Sequence, residues 1–166
     1  MPISWLVPPG MLGPLVLGRM SRAPATSSSS AADYIRRATI RLRAVDVLFE
    51  SGSWADVVRE SQEIVEFTLN ALLRSIGIDP PRIHDVSDVL VSDVLVAERE
   101  RLPGSLVGEL EALTRASKQL RRDLELAFYG AEDLTPSGFY SREDGERARA
   151  SARRTVELVS PHVAEA

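Results

Sequence analysis

Hydrophobic residues recur at spacings of three and four through most of the chain after residue 30, the period that gives an α-helix one apolar stripe. Ser30 is a suitable N-cap for a first helix, which we expect to end near Gly52. A second helix would begin after Ser53 and close at Gly77, a residue suited to the left-handed turn that ends helices. The apolar positions are Tyr34, Ala38, Leu42, Val45 and Phe49 in the first helix, and Val57, Val58, Ile64, Val65, Phe67, Leu69, Leu72, Leu73 and Ile76 in the second.

The sequence VSDVL occurs twice in tandem over residues 86–95, and its valines would also tolerate a β-strand. We predict a third helix here, because a lone strand would have no partner in this chain. Residues 98–101 are expected to end that helix before Pro103. Its apolar line consists of Val86, Leu90, Val94 and Ala97.

Two further helices are predicted in the second half of the chain. The fourth has a seam with alternating four- and three-residue spacing, on which Ser117 is the one polar residue. The fifth begins with Ser141 and Asp144, which are spaced as a capping box, and Pro161 limits it. The seam positions are Leu106, Leu110, Leu113, Leu120, Leu124 and Ala127 in the fourth helix, and Ala148, Ala152, Thr155 and Val159 in the fifth.

These patterns predict an all-α fold over residues 31–160, an up-and-down antiparallel bundle of about five helices. The chain of 166 residues is long enough for one domain with its own core. Residues 1–30 contain several prolines and glycines and a polyserine run, so we interpret them as a tail outside the fold. We expect this tail to be disordered, or its first nineteen residues to lie upstream of a true translation start at Met20. Residues 161–166 are predicted to form a C-terminal tail.

Composition restricts the chemistry that this fold carries. The chain has no cysteine, so it has neither disulfides nor a Cys-based zinc site, and only His84 and His162 offer imidazole. We therefore predict no metal, no cofactor and a cytoplasmic location. No unbroken apolar run reaches the length of a membrane span, so no membrane association is expected. The net charge of −4 argues against a generally basic nucleic-acid binder, and any RNA contact must be local.

Two stretches of the chain resemble the HEPN domain family. Residues 61–86 read SQEIVEFTLNALLRSIGIDPPRIHDV, and residues 121–144 read RRDLELAFYGAEDLTPSGFYSRED. The resemblance lies in the acidic and apolar second helix, the Gly-Ile turn, the Pro-Pro pair before His84 and Asp85, and the Leu-Ala-Phe-Tyr-Gly ending of the fourth helix. It implies a compact helical bundle that is usually a dimer. Such proteins are often encoded beside a small nucleotidyltransferase, with which they form a toxin and antitoxin pair.

Many members of that family are metal-independent RNases whose active site resembles an Arg, four residues, a His, any residue and a Tyr. In this sequence the pattern falls on Arg122, Ala127 and Tyr129, so the histidine is missing. Alanine cannot transfer a proton, and general acid–base catalysis contributes about 100- to 10,000-fold in rate. Neither His84 nor His162 has the spacing to replace it. The sequence therefore favours a noncatalytic member.

The candidate ligand-binding residues are Arg121, Arg122 and Tyr129, and the resemblance makes Tyr129 a candidate acceptor of an AMP group. Each has a simpler interpretation. Arg122 would also suit a solvated position near a helix C-terminus, and Tyr129 would suit the core with its hydroxyl at the surface. His84 is interpreted as a cap or packing group. The arginines of the first and fifth helices either frame an anion-binding groove or lie on solvated faces; they are Arg36, Arg37, Arg41 and Arg43, and Arg147, Arg149, Arg153 and Arg154.

Three functional hypotheses follow. The first is a noncatalytic HEPN-like protein, with Arg122 and Tyr129 retained, that binds a nucleotide, RNA or a nucleotidyltransferase partner in a toxin–antitoxin-like module. The second is an RNase toxin with a relocated catalytic base. The third is a structural dimerisation module, based on the leucine seam and small-residue faces. In all three the protein is expected to be a homodimer.

Overall fold

The computed structural model describes residues 26–80, 91–129 and 135–164. These residues form helices and connecting turns and contain no strand, which confirms the all-α fold. A 3-10 turn at Arg99–Arg101 follows α3. The helices are α1 (Thr26–Glu50), α2 (Trp54–Ser75), α3 (Val91–Ala97), α4 (Gly104–Val107), α5 (Leu110–Tyr129), α6 (Pro136–Phe139) and α7 (Arg142–Ala164).

Two glycines with positive φ close the first two helices, as predicted. Gly52 (φ 70°) ends α1 and lets the Ser53 amide donate to the Leu48 carbonyl at 3.0 Å. Gly77 (φ 76°) ends α2, where the Ile78 amide donates to the Leu73 carbonyl at 2.9 Å. Both arrangements satisfy carbonyls that a helix end leaves without partners. The tight turn at Gly52 makes α1 and α2 an antiparallel hairpin.

Helix α7 runs antiparallel to α1 and begins beside the start of α2. A Cβ at Gly145 would lie only 3.1 Å from the Trp54 ring, which places the first turn of α7 against the first turn of α2. The Ser141 and Asp144 capping box forms as predicted: the Ser141 amide donates to Asp144 Oδ2 at 2.8 Å, and the Asp144 amide donates to Ser141 Oγ at 3.2 Å. The side chains of Ser141 and Asp144 thus fix where α7 begins.

Helix α5 runs antiparallel to α7. Its first half lies beside the later part of α7, where Leu113 and Leu158 line one shallow cavity. Its later half returns to the start of α7, where the Tyr140 hydroxyl donates to the Asp123 carbonyl at 2.7 Å. The four long helices α1, α2, α5 and α7 therefore alternate in direction, as an up-and-down bundle requires.

Helix α2 lies at the centre of the bundle, where it packs against α1, α7, α5 and α3. Most of its predicted apolar positions are buried, and the predicted seams of α5 and α7 are buried at Leu110, Leu113 and Leu120 and at Ala148, Ala152, Thr155 and Val159. Ser117 is the buried polar residue on the α5 seam, as expected. The side chains that α2 buries are Val57, Val58, Ser61, Gln62, Ile64, Val65, Thr68, Leu69, Ala71, Leu72 and Leu73.

The limits of the first and last helices differ from those predicted. Helix α1 begins at Thr26, so Ser30 lies inside it and is not its N-cap. Helix α7 continues through Pro161 to Ala164. Pro161 has no N–H to donate to the Glu157 carbonyl, so the last turn lacks one helical hydrogen bond, while Val163 of that turn is buried in the core. The predicted tail before residue 26 lies outside the described residues.

The predicted third and fourth helices also required correction. Val86 and Leu90 lie outside the described residues, and in α3 Leu95 is buried, whereas the predicted Ala97 is exposed. The predicted fourth helix is divided into α4 and α5 at Gly108. There the Glu109 amide bonds the Leu106 carbonyl three residues earlier, a tighter turn than an α-helix makes. Gly108 has low helix propensity, which favours a break at this point.

None of the helices in the described ranges has the combination of length and apolar character needed to cross a bilayer.

Candidate functional site

The predicted site residues Arg121, Arg122 and Tyr129 all belong to the second half of α5. Successive residues of an α-helix point about 100° apart, so the two neighbouring arginines meet different surroundings. Arg121 points toward α2, and Arg122 lines a groove on the other side of the helix. Arg121 therefore meets a carboxylate of the fold, whereas Arg122 meets the open groove.

Arg121 makes an ion pair with Glu66 of α2, at 3.6 Å between Arg121 Nη1 and Glu66 Oε1. Gln62 also donates to Glu66 Oε1, at 2.7 Å. Burial raises the pKa of the Glu66 carboxyl, and the nearby Glu63 raises it further, although Arg121 and the Gln62 hydrogen bond act to lower it. Glu66 therefore holds its proton more readily than an exposed glutamate does.

Sequence reasoning did not select Glu66. The signal was a glutamine and a glutamate four residues apart on the second helix, the spacing that places Gln62 and Glu66 on one face. Nothing in the sequence indicated that this face would meet Arg121.

Arg122 is exposed and lines a groove of about 700 Å³ between α3, α4 and α5. We name it the α5 groove. Among the described residues Arg122 has no ion-pair or hydrogen-bond partner, and the neighbouring Asp123 side chain accepts from Gln119 at 2.8 Å. The groove is lined by Val96, Arg99, Val107, Gly108, Leu110, Glu111, Thr114, Arg115, Lys118, Gln119 and Arg122.

The other cations of the α5 groove are in part neutralised. Lys118 Nζ lies 2.7 Å from Asp93 Oδ1, and Arg115 Nη2 lies 2.6 Å from Glu111 Oε1. Arg99, like Arg122, forms no ion pair within the described ranges. The groove thus carries positive charge that its own carboxylates do not fully compensate.

Tyr129 is the last residue of α5, and its side chain and that of Ala127 lie outside what the structure describes. The end of α5 is instead held by Tyr140, whose buried hydroxyl donates to the Asp123 carbonyl. Burial and the nearby carboxylates Asp123 and Asp144 raise the pKa of Tyr140 to about 12, so this donor keeps its proton at neutral pH. Tyr140 was not singled out from the sequence.

A model of the HEPN domain family matches residues 31–162 of this chain. The chain belongs to the HEPN family. No curated protein and no solved structure gives a significant match. The predicted family is thereby confirmed over nearly the whole helical bundle.

The histidines of this HEPN domain do not complete a proton-transfer site within the described residues. His162 lies in the last turn of α7, where its Nε2 is 3.2 Å from Ser105 Oγ, and it does not line the α5 groove. His84 lies outside the described residues. The Ser105 contact gives His162 a packing role between α4 and α7.

The predicted arginine clusters of the HEPN domain mostly pair with carboxylates. Arg41 contacts Glu60 at 2.7 Å and Glu63 at 2.6 Å, and both Arg149 and Arg153 contact Asp46 at 2.8 Å. Further pairs join Arg36 to Asp33, Arg147 to Asp144 and Arg154 to Glu109, while the Arg37 guanidinium lies over the Phe67 ring. Arg41, Arg149 and Arg153 join α1 to α2 and α7, Arg154 joins α7 to the residue before α5, and Arg36 and Arg147 pair within their own helices, while Arg43 is exposed without an ion pair in the described ranges.

Proposed function

We propose that this HEPN protein is a noncatalytic binding protein that recognises an anionic ligand along α5 within a toxin–antitoxin-like module. The ligand classes are a nucleotide, RNA or an acidic surface of a nucleotidyltransferase partner. The observation that carries the proposal is Arg122, an exposed guanidinium in a 700 Å³ groove with no ion pair among the described residues. A guanidinium offers paired donors that match a phosphate or a carboxylate.

The noncatalytic part of the proposal rests on Ala127. This alanine occupies the place of the histidine in the motif that the family resemblance implies, and it has no group that moves a proton. A protein with Arg122 and without that histidine retains charge recognition but lacks the group for acid–base catalysis. Binding is then the function that its remaining side chains support.

The test compares Arg122→Gln with Arg43→Gln, an exposed arginine of α1 on another face. Binding of AMP, ATP and a short single-stranded RNA would be measured by isothermal titration calorimetry. A hydrogen bond to a charged group contributes about 1.5–3 kcal/mol, so Arg122→Gln should weaken binding by about tenfold or more. Arg43→Gln should leave affinity unchanged, and the wild-type protein should not cleave the RNA.

Two results together would overturn this function. One is the absence of measurable AMP, ATP and RNA binding. The other is purification from the native host without a nucleotidyltransferase. The same native sample allows two further checks: an intact mass increased by one AMP would support modification of Tyr129, and sedimentation as a monomer would remove the proposed homodimer.

A second candidate is an RNase with a relocated base, and Glu66 is the residue that favours it. Its carboxyl has a raised pKa and lies beside Arg121, a combination that suits general acid–base catalysis at a phosphodiester. RNA cleavage by the wild-type protein that Glu66→Gln abolishes would support this candidate. RNA that binds and stays intact would remove it.

A further inference from the structure

The α5 groove has an apolar floor that the described part of the protein leaves uncovered. Val96 and Val107 supply its accessible part, with the buried Leu110 beneath them, and Val96 is 45% exposed, one of few large hydrophobic residues so exposed in the described ranges. Thr114 adds a hydroxyl oxygen that is buried and lacks a hydrogen-bond partner there. An occupant of this groove would therefore gain apolar contact as well as ionic contact.

The rim of the groove selects for negative charge. Four cations line it, namely Arg99, Arg115, Lys118 and Arg122, against one carboxylate, Glu111. Because Arg99 lies across the groove from α5, cations stand on both sides of the apolar floor. A ligand with an apolar strip and flanking carboxylates would match both properties at once.

Nucleic acid fits this lining less well. Single-stranded nucleic acid gains much of its affinity from bases that stack on aromatic rings, and the groove lining contains no aromatic side chain. Its apolar floor consists of aliphatic valine and leucine side chains, which favour the aliphatic side chains of a protein. The lining therefore favours a protein ligand over an RNA.

The walls also restrict the backbone conformation of a protein ligand. They are formed largely by α5, whose interior backbone groups are bonded within the helix, and the described lining includes no strand edge to which an extended peptide could add. A ligand that satisfies its own backbone is an α-helix. At 1.5 Å per residue, the wall from Leu110 to Arg122 is about 18 Å long, or about three helical turns.

We infer that the α5 groove is the docking site for an acidic amphipathic helix of a partner protein. This inference rests on the proposed function and names its ligand. The helix would place aliphatic side chains at a spacing of three and four residues on the Val96, Val107 and Leu110 floor. Its glutamates or aspartates would pair with Arg99 and Arg122 on the two sides.

The experiment uses a fluorescent helical peptide of about fourteen residues, with leucines spaced by three and four and glutamates elsewhere. A peptide of scrambled order and an oligouridine RNA of equal charge are the comparison ligands. Fluorescence anisotropy would be measured with the full-length protein, and helicity of every variant would be checked by circular dichroism. We expect the amphipathic peptide to bind at least about tenfold more tightly than the scrambled one, a difference of about 1.4 kcal/mol.

Substitutions in the α5 groove test whether the peptide binds there. Val96→Asp places a carboxylate on the apolar floor and should weaken peptide binding by about tenfold or more, because it both repels the glutamates and removes apolar contact. The matched control is Val47→Asp, since Val47 is 62% exposed on α1 and should tolerate the same change without effect on binding. Arg99→Gln tests the groove without altering its floor, and it should weaken binding by several-fold.

Three outcomes would overturn the inference. They are no saturable binding of the amphipathic peptide, equal binding of the scrambled peptide, or equal loss in Val96→Asp and Val47→Asp. Oligouridine binding that depends on Arg122, without peptide binding, would overturn the inference and leave the proposed function standing. Loss of all binding, to peptide, RNA and nucleotides alike, would count against both.

Discussion

Helix α2 has two different sets of neighbours. Towards α1 and α7 it packs side chains that are almost completely buried, among them Val45, Val57, Leu72 and Val159. Towards α3 and α5 the helices are shorter or interrupted, and a groove of about 700 Å³ remains open to solvent between α3, α4 and α5. Both sides contribute buried side chains to the core, and the side of α3, α4 and α5 has in addition a groove open to solvent.

Charged residues show the same contrast. On the packed side Arg41 contacts two glutamates and Asp46 contacts two arginines, so these charges are paired within the fold. On the open side Arg99 and Arg122 have no such partner within the described ranges. Charge that a fold does not use internally is available for recognition, which is why the open side carries the proposed function.

The largest effect should come from the packed side. Leu72→Ala removes a fully buried side chain from the centre of α2 and should lower the free energy of unfolding by about 2–5 kcal/mol. Val107→Ala, on the partly exposed groove, should cost less than about 1.5 kcal/mol. Urea denaturation measures both. Equal losses would contradict the division into a packed side and an open side.

Two glycines allow a sharper comparison with one substitution. Gly77→Ala places a side chain at φ 76° and should destabilise the protein by about 1–2 kcal/mol. Gly108 has right-handed helical backbone and nothing within 4 Å of an added Cβ, so Gly108→Ala should stabilise by about 0.4–1 kcal/mol. Thermal unfolding of the two variants should therefore move in opposite directions. A gain in stability from Gly77→Ala would refute the left-handed closure of α2.

Removing the capping carboxylate of α7 should change the free energy of unfolding by an amount that depends on pH. Burial alone would raise the pKa of Asp144, but the hydrogen bonds from Ser141 and the charge of Arg147 outweigh it and lower that pKa. A lowered pKa means that the carboxylate stabilises the fold above its unfolded value, and that this contribution is lost as pH falls through the folded value. Asp144→Asn should cost about 1 kcal/mol at neutral pH. The difference in the free energy of unfolding between this variant and wild type should shrink in acid. Urea denaturation at several pH values measures it. A difference that stays constant with pH would contradict the lowered pKa.

Titration of Glu66 should change stability with pH in the opposite direction to Asp144, and Glu66→Gln should give the smallest change in the free energy of unfolding. Because its pKa is raised, the folded state holds the proton more tightly, and wild-type stability falls as pH rises through the titration of this carboxyl. Glu66→Gln removes that dependence, so the variant should gain relative to wild type between mildly acidic and neutral pH. At neutral pH the two should differ by less than about 1 kcal/mol, because the variant also loses the Arg121 ion pair. Denaturation at the two pH values tests the sign.

The sequence predicted the parts of this fold that depend on local spacing. The seams of α2, α5 and α7, the closing glycines Gly52 and Gly77 and the capping box at Ser141 all follow from residues close together in the chain. The helix break at Gly108 was missed although the low helix propensity of glycine favours it, because the apolar spacing continues across it. The passage of α7 through Pro161 was missed because it runs against the local preference of proline.

The candidate site was predicted only in part. Arg121 and Arg122 were found from the family motif, but their separate surroundings were not, since these depend on which helices flank α5. The Glu66 contact joins residues 55 positions apart, and the α5 groove joins residues of α3, α4 and α5. Periodicity gives the buried face of each helix and does not identify which exposed faces lie side by side.

The Tyr140 hydrogen bond to the Asp123 carbonyl also bears on how this protein could change over evolution. It joins positions 17 residues apart, and so fixes both ends of the segment between them independently of what that segment contains. Doubling the length of a closed loop costs only about 0.6 kcal/mol, less than such a hydrogen bond typically contributes. Insertions and substitutions between α5 and α7 should therefore be tolerated while Arg122 keeps its place.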